Sequence, residues 1–150
     1  MITTDDILNE FIPLTKIPRP SHREKAVSDY LRDNLARAGF AVVQDEVYNI
    51  IADKEAAVDR ENAPRTILQA HMDMVAVASP GKVFDPQTDA LTVVRDGDWL
   101  RACDTSLGAD DGIGVATALH IMKNAADCGP LRVIFTTDEE TGMTGAARLD

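Results

Sequence analysis

The sequence predicts an α/β fold, a sheet with helices on its faces. Apolar runs of strand length occur at 66–70 and 131–136. Apolar stripes at helical spacing occur near both ends of the chain, and the two kinds of segment alternate. At 150 residues the chain has the size of one domain, and 45% hydrophobic content is enough to fill a packed core.

The elements follow in order. Ile7, Leu8, Phe11 and Ile12 predict a helix over 5–16, with Pro13 kinking or shortening it. Pro18 and Pro20 then break the chain. Ser21 and Glu24 have the spacing of a capping box, and Val27, Leu31, Leu35 and Ala38 make one apolar face. Gly39 is the natural stop. Strands are expected at 40–43 and 47–52, followed by an exposed, polar connection over 53–64. The strand at 66–70 delivers His71. Segments 91–94 and 99–102 read as a hairpin across Asp96-Gly97, with Trp99 as a core or hairpin packing residue. A helix over 112–124 carries Val115, Leu119 and Met122 on its buried side and ends before Gly129-Pro130. His22 reads as exposed at a helix start, and His120 as structural.

Composition excludes some functions. The formal charge is −10, from 25 acidic against 15 basic residues, which is the wrong sign for a face that binds nucleic-acid phosphates. No apolar run approaches the roughly 20 residues needed to span a bilayer. Residues 1–6 lack the basic-then-apolar pattern of a signal peptide, so a cytoplasmic protein is expected. Cys103 and Cys128 form no C-x-x-C pair and fit two reduced thiols.

Three short carboxylate-rich segments carry the chemistry. In His71-Met72-Asp73, residues i and i+2 of an extended chain point the same way, so Asp73 could accept a hydrogen bond from the imidazole. A solvated strand-end histidine beside an acid is the plainer reading. In 108–112, Asp110 and Asp111 stand at a helix start, where acids also serve as caps and complement the helix dipole. The glycines there do not have phosphate-loop spacing. In 138–142, Glu139 and Glu140 follow a buried strand, where one could bind metal and the other take a proton; a solvated acidic turn is the alternative. One imidazole with several carboxylates suits a divalent metal, zinc above all. Segments that follow strand ends can converge in space, because ligands of open α/β sheets gather outside the carboxyl ends of the strands.

Taken together and in order, the three segments resemble the co-catalytic di-zinc peptidases. The resemblance extends to 17–21, 68–75 and 105–110, covers about 5–150, and is strongest to the Xaa-His (aminoacyl-histidine) dipeptidase branch. It implies a mixed sheet belonging to a partial three-layer fold with helices on both faces. It assigns His71 to one zinc, Asp110 as the bridge, Glu140 to the second zinc, Glu139 as general base and Asp73 as support for His71. It also implies a cis peptide between Asp110 and Asp111, a position that is often Asn in this branch. Cobalt or manganese could replace zinc. The substrate implied is a short peptide such as an Xaa-His dipeptide. A tripeptidase, an N-acyl amino acid amidohydrolase or a non-catalytic assembly module are the alternatives, and a homo-oligomer is left open.

Family members are longer. They carry a further acidic ligand, a distant zinc-binding histidine and a lid or dimerisation domain. Residues 1–150 therefore correspond to the N-terminal part of a catalytic domain. Each zinc would have two ligands here, against the usual three protein ligands of a catalytic site. Weak zinc binding and poor hydrolysis by this chain alone are the expectation.

Overall fold

A computed structural model describes residues 2–149. Helix α1, Thr4–Leu14, starts on a capping box: Thr3 Oγ1 accepts the Asp6 N–H at 3.3 Å, and Asp6 Oδ2 accepts the Thr3 N–H at 2.8 Å. Pro13 lies in its last turn, and the helix ends two residues short of the expected bound. Helix α2, Lys25–Arg37, buries Val27, Leu31 and Leu35. Its end is a Schellman motif. Gly39 (φ +91°) donates to Ala36 O at 3.0 Å, and Phe40 donates to Leu35 O at 3.2 Å.

The capping box expected at Ser21 and Glu24 does not form, since α2 has no side-chain cap. Stronger acceptors and donors claim both side chains. Ser21 Oγ donates to Asp73 Oδ2 at 2.8 Å, and Glu24 Oε1 accepts the N–H groups of His22 and Asp138 at 2.9 and 3.0 Å.

Strands β1 (Ala41–Gln44), β2 (Ile50–Lys54), β3 (Thr66–His71) and β6 (Leu131–Thr136) form a mixed sheet in the order β1-β2-β6-β3. Within this sheet the β3/β6 pair is parallel and the other two are antiparallel. The second strand starts later than expected because Asp45 turns the chain, its Oδ1 accepting the N–H groups of Val47 and Asn49. It also runs on to Lys54, where Asp53 faces Arg132 of β6 across a bidentate ion pair (2.8 and 2.7 Å). A separate hairpin pairs β4 (Val93–Asp96) with β5 (Trp99–Ala102). Its turn residues are Gly97-Asp98, one step beyond the expected pair, because Asp96 pairs with Trp99. Trp99 is not a core residue: it is 68% exposed, with the Arg101 guanidinium 5.6 Å from its ring.

Helix α3 is assigned over Ala109–Asn124, yet Asp110 and Asp111 have non-helical angles, so regular helix begins at Gly112. Val115, Leu119 and Met122 are buried as expected. Leu131, Val133 and Phe135 of β6 stand in register with Ile50 and Ala52 of β2 and with Leu68 and Ala70 of β3. Alternation puts all of these on one face, where they join α2 and α3 in a single core. Each fully buried Leu or Phe contributes about 1.5–3 kcal/mol. Helix α1 packs on α3, where Lys123 pairs with Glu10 at 2.8 Å. Lys54 Nζ satisfies the carbonyls of Met122 and Ala125 at the end of α3. This packing sets the ends of β3 and β6 beside the start of α3.

Candidate metal centre

His71 is the last residue of β3 and is 8% exposed. Its Nδ1 lies 3.2 Å from the Asp73 carbonyl and 3.3 Å from Asp73 Oδ1. Its Nε2 points the other way, 3.1 Å from Asp110 Oδ1 and 3.8 Å from Glu139 Oε2. One ligand atom from each of His71, Asp110 and Glu140 lies within 4.8 Å of the others. Two ligand atoms on one tetrahedral zinc with ~2.0–2.1 Å bonds stand about 3.3 Å apart, so the His71–Asp110 spacing fits a shared ion. A borderline nitrogen and two hard carboxylates also fit the chemistry of such an ion.

Asp73 organises this cluster from below. It is fully buried, and its carboxylate accepts from Ser21 Oγ and from the backbone N–H groups of Glu139 (3.1 Å) and Glu140 (3.2 Å). The same carboxylate therefore orients His71 and pins the chain that carries both glutamates. Burial alone would raise the Asp73 carboxyl. The hydrogen bonds from His71, Ser21 and the two backbone N–H groups outweigh burial and hold it down at about 2. In return, the hydrogen bond to Asp73, aided by Asp110 and Glu139, lifts His71 to about 9 against the opposing effect of burial. The metal-free imidazole is then protonated at neutral pH, and a metal at Nε2 must displace that proton.

The two adjacent aspartates divide the roles that their sequence left open. Asp111 caps the helix: its Oδ1 accepts the Gly114 N–H at 3.2 Å, while Oδ2 accepts the His71 N–H at 3.3 Å. Asp110 points to the imidazole instead, with its side chain 88% exposed. The peptide bond between them is cis.

Three further residues hold the site, and sequence reading gave them no role in it. Arg19 is buried and donates to carbonyls on both sides of the cluster. Glu24 holds the Asp138 N–H. Asp138, with φ +56°, is clasped by His22 Nδ1 at 3.3 Å and by the Thr141 hydroxyl. Burial would raise the Asp138 carboxyl, but its hydrogen bonds with Thr141 and Thr144 and the nearby His22 lower it. The sequence signals for Arg19 are its place between Pro18 and Pro20 and within 17–21, a segment of the family resemblance, and neither names its partners. His22 is exposed as expected, though in a turn with φ +67° rather than in helix. Cys103 and Cys128 are free and half-buried.

A mixed sheet with an imidazole and carboxylates gathered beyond two strand ends is the architecture of a metal-binding α/β protein. Comparison with known proteins gives the family. The chain belongs to peptidase family M20/M25/M40, whose profile matches residues 67–149. It is similar to the cytosol non-specific dipeptidase of Escherichia coli K12, at 40% identity over 138 residues, covering 91% of this chain and 28% of that protein. The fold matches the crystal structure of aminoacylhistidine dipeptidase from Vibrio alginolyticus with a TM-score of 0.93 at 35% identity, over 100% of this chain and 31% of that one. A tripeptidase from Staphylococcus aureus shares the fold, with a TM-score of 0.80 at 24% identity, over 100% of this chain and 40% of that one. The chain thus spans about a third of the length of these proteins. No helix among the described residues is long and apolar enough to cross a membrane.

Proposed function

We propose that these residues form the N-terminal part of the catalytic domain of a zinc-dependent dipeptidase acting on short peptides of the Xaa-His type in the cytoplasm. The observation that supports this most is the convergence of His71, Asp110 and Glu140, with Glu139 beside the same imidazole. In this reading His71 and Asp110 would hold one ion, and Asp110 and Glu140 would hold a second. Bound zinc supplies Lewis-acid polarisation of the scissile carbonyl and brings the pKa of water to near 7.

The chain's own residues do the rest. Glu139 Oε2 takes the proton of the attacking water and returns it to the leaving amine. Asp73 keeps the His71 ring turned toward the ions and fixes the backbone from which Glu139 and Glu140 project. Asp111 ties the His71 backbone to the start of α3, so that Asp110 and His71 keep their spacing. Two protein ligands per ion are fewer than the three usual for catalytic zinc, so this reading places further ligands outside the cluster of described residues.

The test is an assay of a polypeptide with this sequence at the full length of its relatives, loaded with zinc, cobalt or manganese. Xaa-His dipeptides, tripeptides and N-acyl amino acids are compared. Histidine release that disappears in Glu139→Gln while metal binding persists supports the reading. Preferential cleavage of tripeptides or acyl amino acids moves the activity within the family, and no hydrolysis by the metal-loaded protein refutes it.

A further inference from the structure

Arg19 lies just before α2, between Pro18 and Pro20, and is 2% exposed. Its Nη1 donates to the carbonyls of Met72 (2.8 Å) and Asp73 (3.2 Å), and its Nη2 donates to the carbonyl of Gly108 (2.5 Å). Its own carbonyl accepts the Met74 N–H at 3.1 Å. Met72 and Asp73 directly follow His71, and Gly108 stands two residues before Asp110. One side chain therefore joins two segments that are remote in sequence and that each deliver a candidate ligand.

The loop is shaped around this guanidinium. A Cβ at Gly108 would lie 2.5 Å from Nη2, and one at Gly112 would lie 2.6 Å from it. Glycine at both positions lets the start of α3 close on the arginine. Burial pulls the guanidinium down to about 10, against the opposing pull of Asp73 and Asp111, so it stays charged at neutral pH.

We propose that Arg19 is a positioning residue of the metal centre: by bonding the Met72, Asp73 and Gly108 carbonyls together, it sets the distance between His71 and Asp110. The inference rests on the metal reading given above. The planar fork of arginine reaches carbonyls in two directions at once, which the single ammonium of lysine does not. Arg19→Lys keeps the buried charge and loses the bridge. Residues that orient metal ligands from outside the ligand shell typically change metal affinity 10–100-fold.

The experiment titrates cobalt(II) and zinc into the metal-stripped protein, as wild type, Arg19→Lys and His71→Ala. Affinities refer to the folded fraction, taken from the urea curve of each variant. Arg19→Lys is expected to bind cobalt at least about tenfold more weakly, with a changed visible absorption band. Wild-type affinity and an unchanged cobalt spectrum in folded Arg19→Lys would overturn the proposal. A second measurement needs no variant. In wild type, the Arg19 Nη–H signals in nitrogen-15 spectra should exchange slowly and shift when zinc is added. Zinc that shifts the His71 signals and leaves those of Arg19 unmoved also overturns it.

The controls separate the two ideas. If His71→Ala binds metal as well as wild type, or wild type binds none, the metal reading falls and this inference with it. If His71→Ala loses binding and Arg19→Lys does not, only the role of Arg19 falls.

Discussion

Replacing Asp73 by asparagine exchanges one carboxylate oxygen for an amide nitrogen and removes one buried charge. The carboxyl is held at about 2 against an ordinary 3.8, a difference that corresponds to about 2 kcal/mol of stability where Asp73 is ionised and His71 protonated. Counting hydrogen bonds gives the same order. In Asp73→Asn the remaining side-chain oxygen can still accept one of the two glutamate N–H groups, which lie at 3.1 and 3.2 Å, but the amide nitrogen then faces a donor. One buried donor left unpaired costs about 1–3 kcal/mol.

The pH dependence has a definite sign on each side. Asp73 is depressed, so its contribution is present above 3.8 and is lost as pH falls through about 2. His71 is raised, so its contribution is full below 6.5 and is lost as pH rises through about 9. Both shifts describe one ion pair and do not add. Urea unfolding of the metal-free protein should then show wild type about 2 kcal/mol more stable than Asp73→Asn between about pH 4 and 6.5, with the gap narrowing on either side. Proton NMR should find His71 titrating near 9 in wild type and falling toward 6.5 in the variant. A variant within about 0.5 kcal/mol of wild type, or a His71 that still titrates near 9 without the Asp73 charge, would refute the assigned role.

Other perturbations separate structural from ligand roles. Gly145→Ala would set a Cβ 2.5 Å from the Thr137 carbonyl and 2.6 Å from Asn49 Oδ1, and should cost about 1–3 kcal/mol in urea unfolding. Gly142→Ala, with no neighbour closer than 3.7 Å, should stay within about 0.5 kcal/mol in the same experiment. Asp110→Asn is expected to leave stability within about 0.5 kcal/mol, because its side chain is 88% exposed, and to weaken zinc binding by calorimetry. Zinc binding should strengthen between pH 6.5 and 9 and release a proton, measurable as a buffer-dependent binding enthalpy, because the His71 proton competes with the metal.

Much of the fold was legible in the sequence because single segments decide it. The β-branched run at Leu131–Thr136 reads as a buried strand, and its bounds match. Gly39 marked the end of α2 because no other residue takes φ +91° so readily. The errors arose where tertiary partners displaced local ones. Ser21 and Glu24 have capping-box spacing, but Asp73 and Asp138 lie within reach and their groups are buried, so leaving those unpaired would cost more than an uncapped helix. The true capping box, at Thr3 and Asp6, carries Asp where the usual pattern has Glu or Gln.

The site was legible as residue types and only partly as geometry. Spacing within the His71-x-Asp73 segment suggested the imidazole–carboxylate contact. Nothing local tells Asp110 from Asp111; the fold separates them by turning one to the helix N–H groups and the other to His71. Arg19 was invisible as part of the site because its partners are backbone carbonyls, which every residue possesses.

The proposed function stands or falls with His71, Asp110 and Glu140 as metal ligands. Calorimetric titration of zinc into the metal-stripped protein at neutral pH, with His71→Ala beside it, tests this most directly. Binding by wild type should be lost in His71→Ala, with the variant still folded. Equal zinc binding by wild type and a folded His71→Ala would contradict it.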